Sequence, residues 1–153
     1  MAKRLFESLE CWPNLDGNRP TLPITLSTLD GQRVVHEQPM PIDTGFAGAM
    51  LLSREAFSYF ERAELPESES RIYGTLIGPV PMRTARALLK LPRADEMEIL
   101  VDTPKYGVGK SLIGQRVLNG IELLLSGQRS ETCLLKEKDQ APPHRSVSPD
   151  TQQ

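Results

Sequence analysis

An aspartate at the tip of a tight turn with apolar flanks can act on a water molecule, and Asp43-Thr44-Gly45 has that setting. Pro41-Ile42 precede it and Phe46-Ala47-Gly48-Ala49-Met50-Leu51-Leu52 follow. The chemistry requires a second carboxylate close by. Two such groups cannot both ionise cheaply, so they share one proton, one serving as general acid while the other deprotonates water. A small hydroxyl residue can lock the turn by hydrogen bonding, and a glycine allows curvature and close approach that a side chain would block. The same three residue types also form ordinary solvated turns in which the aspartate bonds its own backbone. Apolar residues on both sides argue instead for a turn set between two buried strands.

A second segment complements the first. Leu112-Ile113-Gly114 joins two large apolar residues to a glycine, Gln115 to Gly120 accommodates a short helix, and Ile121-Glu122-Leu123-Leu124-Leu125 follows. Together the two elements resemble the retropepsin-like, retroviral-type aspartic proteases, and more closely the small cellular and bacterial aspartyl proteases of that clan. The resemblance runs from Leu22 to Gly127. It implies that Asp43 is the catalytic aspartate, that Thr44 and Gly45 hold its loop, and that Leu112, Ile113 and Gly114 support the loop from beneath. The viral enzymes commonly carry an acid two positions after the motif glycine and an arginine directly after the second glycine. Here those positions are Ala47 and Gln115. Both members of that ion pair are absent together, so no buried charge is stranded.

The resemblance also implies a mostly β fold, a closed barrel with one or two short helices. With one Asp-Thr-Gly per chain, the shared proton requires two copies, and the expected enzyme is a homodimeric aspartic endopeptidase with an isologous interface. Its substrate would be a peptide or protein, it would need no cofactor, and activity would be greatest below neutral pH. The alternative is a non-catalytic domain of the same fold used for dimerisation or peptide binding.

Composition is compatible with one modest domain. The 153 residues are 39% hydrophobic and 25% charged, with 13 prolines and 11 glycines that favour strands and turns over long helices. A net charge of −2 and few aromatic residues give no basic stripe for nucleic acid and no polybasic membrane patch. Cys11 and Cys133 are far apart in sequence and form no Cys-x-x-Cys pattern, so free thiols are expected. Met1-Ala2-Lys3-Arg4 is basic, but Glu7 and Glu10 interrupt any apolar signal region. No run reaches membrane-spanning length. A cytoplasmic protein is expected.

The elements that must position Asp43 can be traced along the chain. Residues 1–20 form a terminal arm, 21–130 the domain, and 136–153 a polar tail expected to be disordered. Leu22, Ile24 and Leu26 alternate with polar or small neighbours, and Asp30-Gly31 supplies a hairpin turn before Val34-Val35 leads to the Asp43 loop. Ser53 is placed to cap a short amphipathic helix over 54–63. Residues 61–70 form a charged, solvated linker. Ile72 to Met82, including Tyr73, Gly74 and Gly78, is where a substrate-covering flap would fall; an ordinary hairpin turn is equally consistent with those glycines. A strand is expected over 96–101 and a loop over 103–110.

Other chemistries fail on spacing. Gly107-Val108-Gly109-Lys110-Ser111 ends like a phosphate-binding loop, but Pro104 stands where the earlier glycine is required. His36 and His144 have no nearby metal-ligand partners, so no metal site is expected. Neither a Gly-x-Ser-x-Gly elbow nor a His-Glu-x-x-His pattern occurs.

Overall fold

A computed structural model describes residues 3–139. Its elements, in chain order, are β1 (Phe6–Pro13), β2 (Thr21–Ser27), β3 (Arg33–Pro41), β4 (Met50–Leu51), α1 (Arg54–Phe57), β5 (Ile72–Thr75), β6 (Gly78–Lys90), β7 (Met97–Pro104), β8 (Leu112–Ile113), α2 (Gln115–Leu118), β9 (Leu123–Ser126) and β10 (Glu131–Glu137). The fold is mostly β. Seven strands form one sheet in the order β3-β2-β6-β7-β4-β8 with β5 beside β6, and β1-β10-β9 form a second sheet.

Alternation in β2 drives the core. Leu22, Ile24 and Leu26 are buried with Met50, Leu52, Phe57, Phe60, Ala87, Leu89 and Ile113. The turn between β2 and β3 forms where Asp30-Gly31 placed it, with Gly31 at φ +89° and the Gly31 N–H donating to the Thr28 carbonyl at 2.9 Å. Helix α1 is a single turn capped by Ser53, whose Oγ accepts from the Ala56 N–H at 3.3 Å, and it runs on as a 3-10 turn over Ser58–Ala63. Phe57 and Phe60 point into the core and Tyr59 to solvent.

The linker over 61–70 is tied down more than a solvated connection would be. Glu64 forms a bridge to Ala85 and accepts two hydrogen bonds from the Arg83 guanidinium, both at 2.7 Å. The Arg83 guanidinium also stacks over Phe57, 5.0 Å from the ring centre.

Two features differ from expectation at the chain ends. Cys11 and Cys133 form a disulfide rather than free thiols. They face each other directly across the antiparallel pairing of β1 and β10, a proximity created by topology across a sequence separation of 122. Strand β10 includes Lys136 and Glu137, the first two residues of the segment expected to be a polar tail. Residues 140–153, with His144, lie outside the described residues.

Candidate active site

Strand β3 ends at Pro41 and delivers Asp43 into a turn that returns through Gly48 and Ala49 to β4. Strand β8 lies between the two arms of this loop. Ile113 makes a parallel bridge to Ile42 on the incoming arm and an antiparallel pairing to Met50 on the outgoing one. The Asp43 N–H donates to the Ile113 carbonyl at 2.9 Å, the Gly114 N–H to Ala49 at 2.8 Å, and the Gln115 N–H to Phe46 at 2.8 Å. The loop is thus fastened from beneath by the segment Ile113-Gly114-Gln115.

Gly114 is required by space. A Cβ there would lie 2.3 Å from the Gly48 carbonyl oxygen and 2.5 Å from Phe46 Cδ1. The apolar pair before it, Leu112 and Ile113, is buried.

At the tip, Asp43 Oδ1 accepts from the Gly45 N–H at 2.8 Å, so the carboxylate and the motif glycine brace each other. Asp43 is half-buried, whereas Thr44, Gly45 and Ala47 are exposed. The Thr44 hydroxyl has no hydrogen-bond partner among the described residues; its carbonyl accepts from Gln115 Nε2 instead. Gln115, at the position where the viral enzymes carry arginine, therefore holds the loop through a neutral amide. Arg116 is exposed, and its charge favours the ionised form of Asp102.

The segment expected to carry the flap is a hairpin. β5 and β6 pair from Ile72–Pro81 to Thr75–Gly78, leaving Leu76 and Ile77 as the tip, both fully exposed. Gly78 adopts φ +117°, a conformation that suits glycine, while Gly74 has an ordinary φ. Tyr73 is half-buried and turned back toward the body. Its ring meets Phe46 edge-on, with centres 5.0 Å apart and planes at 60°. Its hydroxyl donates to Asp102 at 2.9 Å and accepts from Arg71 at 3.2 Å.

Sequence reasoning did not single out Asp102, Phe46 or Gln115 as working residues. Asp102 is fully buried on β7 and also accepts from the Thr84 hydroxyl at 2.6 Å. Burial pushes its carboxyl above the ordinary value, opposed by the Thr84 and Tyr73 hydrogen bonds and by the charges of Arg71 and Arg116. Burial likewise raises the Tyr73 phenol. The legible signal was an acid in the apolar run Ile99-Leu100-Val101-Asp102, since a buried charge needs partners.

Among the described residues one cluster has metal-ligating side chains close together. Cys11, Cys133 and Glu131 come together, but the disulfide engages both sulfurs. His36 is exposed on β3. Gly107 and Gly109 both have positive φ, as a glycine turn requires, at +92° and +66°. No helix among the described residues is long and apolar enough to cross a membrane.

Comparison with solved structures identifies the fold. A retropepsin-like aspartic protease from Rickettsia conorii superimposes with a TM-score of 0.52 at 10% identity, over 91% of this chain and 98% of its own. EIAV protease in complex with an inhibitor gives a TM-score of 0.47 at 16% identity, over 71% of this chain and 94% of its own. No protein-family model and no curated protein matches the sequence. The chain has a retropepsin-like fold.

Proposed function

We propose that this protein is an aspartic endopeptidase whose active form is a homodimer. The observation that carries the reading is the Asp43 loop, clamped along both arms by Ile113-Gly114 with a half-exposed carboxylate at its tip. Two copies related by a two-fold axis through that tip would bring their Asp43 carboxyls to either side of one water. The ionised carboxylate takes a proton from the water, whose oxygen attacks the peptide carbonyl carbon. The C–N bond then breaks as the leaving amine takes a proton from the dyad.

Thr44 and Gly45 hold the loop, Leu112, Ile113 and Gly114 support it, and the β5–β6 hairpin, with Tyr73, Gly74 and Gly78, serves as the flap. In such a dimer the exposed Thr44 would be free to meet the second copy. The mechanism calls for no cofactor and no metal, and the substrate is a peptide or protein. We read the large sheet as closing toward a barrel, a reading supported by the bridge from Ile42, the residue after β3, to Ile113 of β8. The catalytic domain is then 21–130, with 1–20 as its arm. A cytoplasmic location is compatible with this chemistry, but disulfides persist mainly in oxidising compartments, so residence in the cytoplasm would leave Cys11 and Cys133 reduced.

The test compares wild type with Asp43→Ala on a mixed-peptide library between about pH 4 and 7, with products read by mass spectrometry and dimerisation followed in parallel. Cleavage that is lost only in the variant supports the peptidase. If neither protein cuts while both dimerise, the domain is a dimerisation or peptide-binding module.

A further inference from the structure

Behind the Asp43 loop runs a chain of donors that the proposed chemistry does not use. Arg71 donates to the Tyr73 hydroxyl, Tyr73 donates to Asp102 Oδ2, and Thr84 donates to Asp102 Oδ1. Two of these donors, the Tyr73 and Thr84 hydroxyls, end on the buried Asp102 carboxyl, which suits a carboxylate because it only accepts. We propose that Tyr73 is a positioning residue that latches the β5–β6 hairpin to the Asp43 loop through Asp102.

Among the described residues β5 pairs with β6 alone, and β6 enters the large sheet only from Pro81-Met82 onward, so the part of the hairpin beyond that point is a two-stranded ribbon, marginally stable by itself in water. Its position over the body therefore depends on what holds its root. Asp102 is joined to the outgoing arm of the Asp43 loop. Its backbone pairs with Leu51, and its carbonyl accepts from the Leu52 N–H at 2.7 Å. Tyr73 reaches that anchor past Gly48, where a Cβ would lie 2.7 Å from the Tyr73 hydroxyl oxygen and 2.6 Å from Phe46 Cζ. Gly48 thus leaves room for both rings. The Tyr73 ring packs with Phe46 and Val80 over Leu51, Met82 and Leu112, so the aromatic body and the hydroxyl grip the same arm.

Removing the hydroxyl leaves Asp102 Oδ2 buried without its donor, and β5 loses its side-chain hydrogen bond to the Asp102 carboxylate. The tip, with Leu76 and Ile77 exposed, then swings from a loosened pivot.

The experiment is hydrogen exchange on Tyr73→Phe, which keeps the ring against Phe46 and deletes only the hydroxyl. Amides of 72–82 should exchange about tenfold faster than in wild type, since a hydrogen bond to a charged group is lost. Amides of β2 should be unchanged. Asp102→Asn, which still offers the hydroxyl an acceptor, should fall between the two. Where peptides are cleaved, Tyr73→Phe should raise KM about fivefold with kcat within about twofold, because the latch acts on substrate closure rather than on the water. The kinetic arm rests on the peptidase reading and the exchange arm does not. Should no cleavage be found, the same library peptides are titrated by fluorescence anisotropy, and Kd replaces KM. Unchanged exchange in 72–82 would overturn the latch, and faster exchange with unchanged KM or Kd would overturn the role of Tyr73 in positioning the hairpin over substrate.

Discussion

Gly114→Ala isolates the packing beneath the candidate active site, because its backbone has no need of glycine: φ is −106° and ψ −178°, which any residue adopts. On conformational grounds alone, alanine should stabilise the chain by about 0.4–1 kcal/mol through the unfolded state. The space forbids it. The added carbon would meet two backbone oxygens, Gly48 at 2.3 Å and Phe46 at 2.8 Å, as well as Phe46 Cδ1 at 2.5 Å. The ring can turn aside; the carbonyls move only with the loop. Overpacking of this kind costs about 1–3 kcal/mol. Displacing the loop also strains the Gly114–Ala49 and Gln115–Phe46 hydrogen bonds, each worth about 0.5–1.5 kcal/mol. After the unfolded-state gain is subtracted, the net loss is about 3 kcal/mol, which lowers Tm by about 6–12 °C for a chain of this size. Thermal unfolding followed by circular dichroism measures it, with Gly127→Ala as the control, since a Cβ at Gly127 meets nothing within 4 Å. A Gly114→Ala protein as stable as wild type would refute the reasoning, whatever its activity.

Three further outcomes are expected. Arg83 holds the Glu64 carboxyl below its ordinary value of 4.5, with burial opposing, so the pair contributes stability above that pH that is lost as pH falls through the lower folded value. Urea unfolding should find Glu64→Gln about 1 kcal/mol less stable at neutral pH and equal to wild type in strong acid; a constant difference would contradict the pairing. Because the disulfide spans a separation of 122, Cys11→Ser or reduction should lower the urea-derived stability by about 3–5 kcal/mol, and an unchanged midpoint would show that the bond does not constrain the unfolded chain. An ionised Gln115→Glu cannot donate to the Thr44 carbonyl, so peptidase kcat/KM should fall about tenfold near neutral pH and recover toward wild type as the new carboxyl protonates. A mutant-to-wild-type ratio independent of pH would remove the amide from the loop's support.

What could be read in the sequence was what depends on near neighbours. Asp43-Thr44-Gly45 and its apolar flanks describe the turn, Leu22, Ile24 and Leu26 declare a strand with one buried face, and Ser53 caps the turn that follows. Gly114 was marked by the resemblance of Leu112-Ile113-Gly114 to the hydrophobic-hydrophobic-Gly element of the retropepsin-like proteases, not by its neighbours alone. The disulfide was not, since β1 is mostly exposed and shows no buried alternation, and its partner strand is 122 positions away. Asp102 stood out only as an acid in an apolar strand. Its donors Thr84 and Tyr73 lie 18 and 29 positions earlier, and only the pairing of β6 with β7 and the fold of the hairpin bring them to it. The strand expected over 96–101 runs on to Pro104, because it is flanked by β6 along its whole length.

The Cys11–Cys133 bond gives the folded chain the topology of a ring, with both strands of the Asp43 loop, the hairpin and the supporting β8 segment inside it. A protease that nicks the exposed Leu76-Ile77 tip would open the ring without releasing a fragment. The two pieces would migrate as one species until a reductant was added and separate only then. Redox state thus decides whether damage at the hairpin is contained within one covalent body or becomes the first step of disassembly.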